Sequence, residues 1–200
     1  MKFKVLFFLF CSFFLQFSYS QETENKSPVK FNHDFRINAL IPSNYGDNFL
    51  AKANDAKLGI GMNFSFLRIY DFKLGIGYDY IPYSSTDISM TGNIKNADYQ
   101  TVYGDVAYEI KITDKLNIEP YFGFGGLELK FRSDARDFGN QTGSNFRIGF
   151  NTDYKLAKRL SGFIGICYLG SKLDISTSPE FVSFYHNAKM FQFNIGLKIH

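Results

Sequence analysis

Between Val106 and Phe124 the side chains alternate in character with a period of two. Val106, Tyr108, Ile110 and Ile112 are separated by Ala107, Glu109 and Lys111; after Thr113-Asp114-Lys115, Leu116, Ile118, Phe122 and Phe124 are separated by Asn117, Glu119 and Tyr121. Successive side chains of a strand point to opposite faces, so this is a β-hairpin with one apolar and one charged face. Either the apolar face is the core and the charged face meets water, or the apolar face meets lipid and the charged face is enclosed.

The same alternation recurs in eight segments, near 31–41, 56–67, 72–83, 99–112, 116–131, 144–156, 160–170 and 187–199. No useful 3.6-residue period occurs, which predicts almost no helix. The connections after the second, fourth and sixth segments are short, near 68–71, 113–115 and 157–159. The other four, 42–55, 84–98, 132–143 and 171–186, are long and rich in Ser, Asn, Asp, Gly and Thr. A soluble sandwich has no reason for this strict alternation. An up-and-down membrane barrel does, with short turns on one side and long loops on the other. A hairpin inside 84–98 or 171–186 would raise the count to ten strands.

Residues 1–20 read as a signal peptide. Lys2 and Lys4 precede an apolar stretch from Val5 to Phe17, and Ser18 and Ser20 offer small residues before a cut at Gln21. Phe10 argues against a lipoprotein cut at Cys11. Losing the leader takes the formal charge from +3 to +1, since Lys2 and Lys4 leave and no acid does. That gives no support for nucleic-acid binding. Cys167 then stands alone, which excludes an internal disulfide. Residues 21–30 are a polar lead-in, and 31–200 form the barrel.

No charge falls in the apolar phase of any strand. The polar phase carries Asp34, Arg36, Lys57, Lys73, Asp79, Asp105, Glu109, Lys111, Glu119, Arg147, Asp153 and Lys198, together with Gly59, Gly61, Gly75, Gly77, Gly123, Gly125, Gly149, Gly165 and Gly196. Glycine weakens an exposed strand. Its concentration beside long charged residues fits the cramped interior of an eight-stranded barrel. The reading is therefore all-β: an eight-stranded antiparallel up-and-down transmembrane β-barrel. Its interior polar network would be built from Arg36, Lys73, Asp105, Glu109, Lys111, Glu119, Arg147 and Asp153. Pro120 is expected near the short-turn rim or at a bulge, and Phe163 falls in the polar phase.

With these features, and the ending "MFQFNIGLKIH", the chain resembles small outer-membrane β-barrel proteins of the OmpA/OmpX-like kind. Its Phe, Tyr, Lys and Asn bias resembles members from Bacteroidetes. It departs from them by closing on Ile199-His200 rather than an aromatic residue. The resemblance implies residence in the outer membrane of a Gram-negative bacterium, contact with outer-membrane lipid, insertion by the barrel-assembly machinery and a monomeric state. It also implies a structural or surface-interaction role through four long extracellular loops. The alternatives are a narrow channel for small solutes or ions, separable by conductance, and a soluble periplasmic lipocalin-like binder, separable by membrane extraction.

Little points to chemistry. His33, His186 and His200 are scattered without metal-ligand spacing, and no cofactor fingerprint is present. A lipid-modifying enzyme would need an activated serine; Ser183 with His186 and Asp174 or Glu180 is the one spacing that admits it, and ordinary loop residues account for it better. Phe181, Phe184 and Tyr185 form an apolar cluster in the last long loop. They mark a surface-partner contact or an early start of the last strand.

Overall fold

The structure, a computed structural model, describes residues 29–91, 94–133, 137–175 and 179–200. The assigned signal peptide and most of the lead-in lie outside the described residues. The described residues form ten strands: β1 (Val29–Asn44), β2 (Asn54–Ala56), β3 (Gly59–Ile69), β4 (Phe72–Ser85), β5 (Asn96–Tyr108), β6 (Ile110–Lys111), β7 (Leu116–Arg132), β8 (Asp137–Ala157), β9 (Leu160–Leu173) and β10 (Asn187–Ile199). All pairings are antiparallel. They run β1–β3–β4–β5–β7–β8–β9–β10 and return to β1, with Phe35 opposite Ile199 and Ile41 opposite Phe193. β6 continues β5 along β7, and β2 is a short extra strand beside the end of β4. The eight segments expected from alternation are the eight staves of this ring. We call its two ends the turn end and the loop end.

The face question is settled by exposure. Outward positions such as Ile195 (55% exposed), Phe122 (53%) and Ile60 (57%) form an apolar belt, whereas Lys198, Glu119 and Lys73 are at most 1% exposed. Aromatic rings edge the belt. Tyr45, Tyr168 and Phe191 cluster toward the loop end, with Tyr45 and Phe191 stacked at 5.2 Å, and Phe72 meets Tyr108 at 4.9 Å at the turn end. An apolar belt between aromatic rims is what a bilayer stabilises and water does not. The soluble alternative, with apolar inside and charge outside, is the reverse of this arrangement.

The interior glycines have a steric cause. Gly77 pairs with Tyr103 and Gly123 with Arg147. A Cβ on Gly77 would lie 2.2 Å from the Tyr103 ring, and one on Gly123 would lie 2.9 Å from Cγ of Arg147. The side chains of Tyr103 and Arg147 occupy the space over these two glycines. Pro120 pairs with Phe150. The ladder between β5, β6 and β7 breaks at Glu109, beside Pro120, whose nitrogen has no proton to donate.

Two expectations are corrected. The described residues include three helices: α1 (Phe49–Lys52), α2 (Ile88–Thr91) and α3 (Pro179–His186). In α1, Asn48 caps the start by accepting from the Ala51 amide at 3.0 Å, and Phe49 and Leu50 are buried. α3 occupies the stretch read as a surface cluster or an early strand. Pro179 at its start and Glu180 in its first turn favour a helix there. The long loops 84–98 and 171–186 contain helices rather than a hairpin among their described residues. The second correction concerns the lumen, which is not polar throughout. Toward the loop end its inward positions turn apolar, with Leu40, Ile81, Leu127, Leu129, Leu169 and Met190 forming one buried cluster with Phe49 and Leu50.

Filling the space over Gly77 should cost as overpacking does. Gly77→Val is expected to destabilise the barrel by about 1–3 kcal/mol. Gly126→Ala, whose Cβ meets nothing closer than 4.0 Å, should leave stability nearly unchanged. Urea unfolding in detergent micelles, followed by circular dichroism, measures both.

Candidate functional site: the enclosed charge layer and the turn-end cleft

Near the turn end, inward side chains from around the ring meet in one layer. Its centre is Glu119 on β7. Oε1 accepts from Lys73 Nζ (β4) at 2.6 Å and from Lys198 Nζ (β10) at 2.7 Å, while Oε2 is paired with Arg36 (β1). Lys73 also reaches Glu109 at 2.5 Å and Asp34 at 3.0 Å. Lys198 reaches Asp153 on β8 at 2.6 Å, and Arg36 reaches the same carboxylate at 3.3 Å. Arg68 on β3 closes the circuit on Glu109 at 2.8 Å. Four cations, Arg36, Arg68, Lys73 and Lys198, thus face four anions, Asp34, Glu109, Glu119 and Asp153. A buried unpaired charge would cost several kcal/mol, so balance is a condition of burying any of them.

A second group lies above this layer. Arg147 donates to Asp79 at 2.8 Å, and its guanidinium sits 3.3 Å from the centroid of the Tyr103 ring. Asn63 donates to Asp105 at 2.7 Å. The Arg36 guanidinium lies 5.6 Å from the centroid of the Phe163 ring, which accounts for an aromatic residue in the polar phase. The residues here enclose a cavity of about 30 Å³, room for about one water molecule. Higher still, the apolar cluster fills the lumen beneath α1 and α3.

Of the eight residues assigned to the interior, Arg36, Lys73, Glu109, Glu119 and Asp153 meet in the charge layer, and Asp105 and Arg147 belong to the group above it. Lys111 does not join them. It is exposed, because β6 has left the enclosed part of the ring and Lys111 looks out over the turn-end opening. Lys57 is likewise exposed, between β2 and β3. Asp34 and Lys198, which the period of two also puts on the polar face, complete the network. Arg68 follows a bulge at the end of β3 and has no clean phase.

Phe184 and Tyr185 are half-buried; the Tyr185 ring packs at a tilt against Phe49, centroids 5.2 Å apart, and its hydroxyl donates to the Met90 carbonyl at 3.3 Å. Their rings tie α3 to α1 and α2 over the apolar roof. The side chain of Phe181 lies outside the described residues. His186 donates Nδ1–H to the Leu173 carbonyl at 2.6 Å, and no hydrogen bond joins it to Ser183. Among the described residues no cluster of His, Cys, Asp and Glu has the makings of a metal site. Cys167 is free and buried.

Below the charge layer the turn end opens into a cleft of about 530 Å³, lined by Lys111, Lys115, Lys155, Lys158, Asn117, Asp114, Ser161 and His200 among others.

No protein-family model matches the sequence, and no curated protein sequence matches it. Solved structures do resemble it. Neisserial surface protein A aligns over 88% of this chain and 99% of its own, with a TM-score of 0.59 and 10% identity. The fold is that of a small outer-membrane β-barrel. Ail, the attachment invasion locus protein of Yersinia pestis, aligns over 84% of this chain and 98% of its own, with a TM-score of 0.49 and 13% identity. The outer membrane protein OprG of Pseudomonas aeruginosa aligns over 84% and 96%, with a TM-score of 0.42 and 13% identity. At these identities the likeness establishes the fold alone.

Removing the central acid should be costly. Glu119→Gln leaves three cations facing one carboxylate fewer, and the expected loss is about 3–5 kcal/mol. Lys111→Met, on the exposed rim, should change stability by no more than about 0.5 kcal/mol. Urea midpoints of the two variants in the same micelles compare them directly.

Proposed function

We propose that this chain is an integral outer-membrane barrel of a Gram-negative bacterium that works as a sealed scaffold. The turn end faces the periplasm and the loop end faces outward. The apolar belt takes up outer-membrane lipid, the barrel-assembly machinery inserts the chain, and the long loops display its contact surface as a monomer. The observation that carries this reading is the filling of the lumen at three levels. An ion-paired layer closes the turn-end third, the Arg147–Asp79–Tyr103 group occupies the middle, and an apolar roof under α1 and α3 closes the loop end. A conducting path would have to break the charge layer or desolvate an ion against Leu40, Ile81 and Leu129. Both cost far more than thermal energy.

The roof also bears on the surface role. Tyr185, Phe49 and Met90 connect three of the long connections into one block. A block of fixed loops presents a defined surface to a partner without losing much conformational entropy on binding. Likeness to a protein described as a surface protein supports this reading at the level of fold.

Purified barrel in planar lipid bilayers should show no discrete conductance steps; a reproducible ohmic channel would restore the narrow-pore reading. Orientation is checked on whole cells. A protease site inserted at 89–90 should be cut from outside, and one inserted at 114–115 should be protected until the outer membrane is permeabilised.

A further inference from the structure

The turn-end cleft contains an arrangement that a scaffold does not require. Ser161 Oγ lies 2.9 Å from Nε2 of His200, and Nδ1 of the same ring lies 3.0 Å from Oδ1 of Asp34. Ser161 lies on β9 and Asp34 on β1, and His200 follows the last residue of β10. The connection is directional. Asp34 divides its oxygens, giving Oδ2 to Lys73 and Lys198 and leaving Oδ1 for the imidazole. With Oδ2 ion-paired to two lysines, Oδ1 accepts from Nδ1–H and fixes the ring tautomer. Nε2 then presents its lone pair to the serine hydroxyl. The His200 backbone is held as well, its amide donating to the Arg159 carbonyl at 3.1 Å. Nucleophile, base and orienting carboxylate within hydrogen-bond reach are the geometric requirement for an activated serine.

The surroundings are those of a binding site. Ser161 and His200 both line the 530 Å³ cleft. Lys111, Lys115, Lys155 and Lys158 are exposed around it, against one exposed acid, Asp114. The other two carboxylates in the lining, Glu109 and Asp153, are taken up by the charge layer. The free charge of the cleft is therefore positive.

We propose that Ser161, His200 and Asp34 are a serine esterase site in the turn-end cleft, acting on carboxylic esters that carry a negative charge. Ser161 Oγ attacks the ester carbonyl carbon while His200 Nε2 takes the hydroxyl proton. The C–O bond to the alcohol then breaks, and the imidazolium returns that proton to the departing alkoxide. Water, deprotonated by the same nitrogen, attacks the acyl-serine and releases the carboxylate, restoring the serine hydroxyl. Nothing is oxidised or reduced. Asp34 orients His200, and the lysines draw in the anionic substrate. The proposal does not depend on which side of a membrane the cleft faces.

The test uses the full folded barrel in micelles and a fluorophosphonate probe, with the adduct located by mass spectrometry. The expected result is a single adduct on Ser161, present in folded and absent from heat-unfolded protein, lost in Ser161→Ala and slowed at least about 100-fold in His200→Gln. The native barrel should also hydrolyse a 4-nitrophenyl hemisuccinate faster than the neutral butyrate, with the preference shrinking as salt rises. Folding of each variant is read from its unboiled gel mobility. If His200→Gln does not fold, carbethoxylation of the folded, unaltered protein with diethyl pyrocarbonate carries the same information: modification of His200, located by mass spectrometry, should suppress labelling of Ser161 in proportion. No adduct above the unfolded control, an adduct elsewhere, or labelling indifferent to the loss or modification of His200 would reduce the three residues to a latch between strands and overturn the proposal.

Discussion

Everything else in this barrel is arranged around the sharing of Glu119 by Lys73, Lys198 and Arg36. With lipid-facing side chains fixed as apolar, a period of two leaves charge nowhere to go but the lumen. An eight-stranded lumen has no room for solvent to screen it. Each charge is tolerable only beside its opposite, and the eight groups come from strands far apart in sequence. Glu119 lies 83 residues from Arg36 and 79 from Lys198. Those pairs form only when the ring has the right stagger, so the layer favours one register over its neighbours. Closure of β10 on β1 brings Lys198 and Asp34 to the same level, which joins the covalent ends of the ring through its interior.

Space is the second constraint. Tyr103 and Arg147 fit inside because each lies over a glycine on the neighbouring strand, Tyr103 over Gly77 and Arg147 over Gly123. The lumen then changes character along its axis, from ion pairs through neutral polar groups to hydrocarbon. Apolar side chains at the loop end let α1 and α3 seal that opening by ordinary hydrophobic burial. Ion pairs at the other end leave a polar, water-accessible floor. Ser161, itself only 3% exposed, meets His200 within that floor.

Much of the fold was legible because strand alternation reports directly on which face each residue occupies. The eight staves, the enclosed polar face, and Arg36, Lys73, Glu109, Glu119 and Asp153 all follow from that period and lie where it puts them. The helices do not follow from a period of two, although Phe181, Phe184 and Tyr185 stand at helical spacing behind Pro179 and Glu180. The apolar roof was missed for a related reason. In Ile81-Pro82-Tyr83 and Leu127-Glu128-Leu129 hydrophobic residues occupy the inward phase, a switch visible only once the phase is followed past the belt. Phase alone puts Lys111 inside, and phase does not say where a strand leaves the enclosed region. The Ser161–His200–Asp34 contact was beyond reach, since 166 residues separate His200 from Asp34 and only ring closure joins them.

The claim beneath all of this is that the charged face is enclosed and the apolar face needs a bilayer. The most direct measurement dilutes urea-unfolded protein into buffer with and without lipid vesicles, then compares boiled and unboiled samples by gel electrophoresis. The account predicts a compact, heat-sensitive band only when vesicles are present, and aggregation without them. A monomeric, folded protein in plain buffer, with no heat-dependent shift, would contradict it.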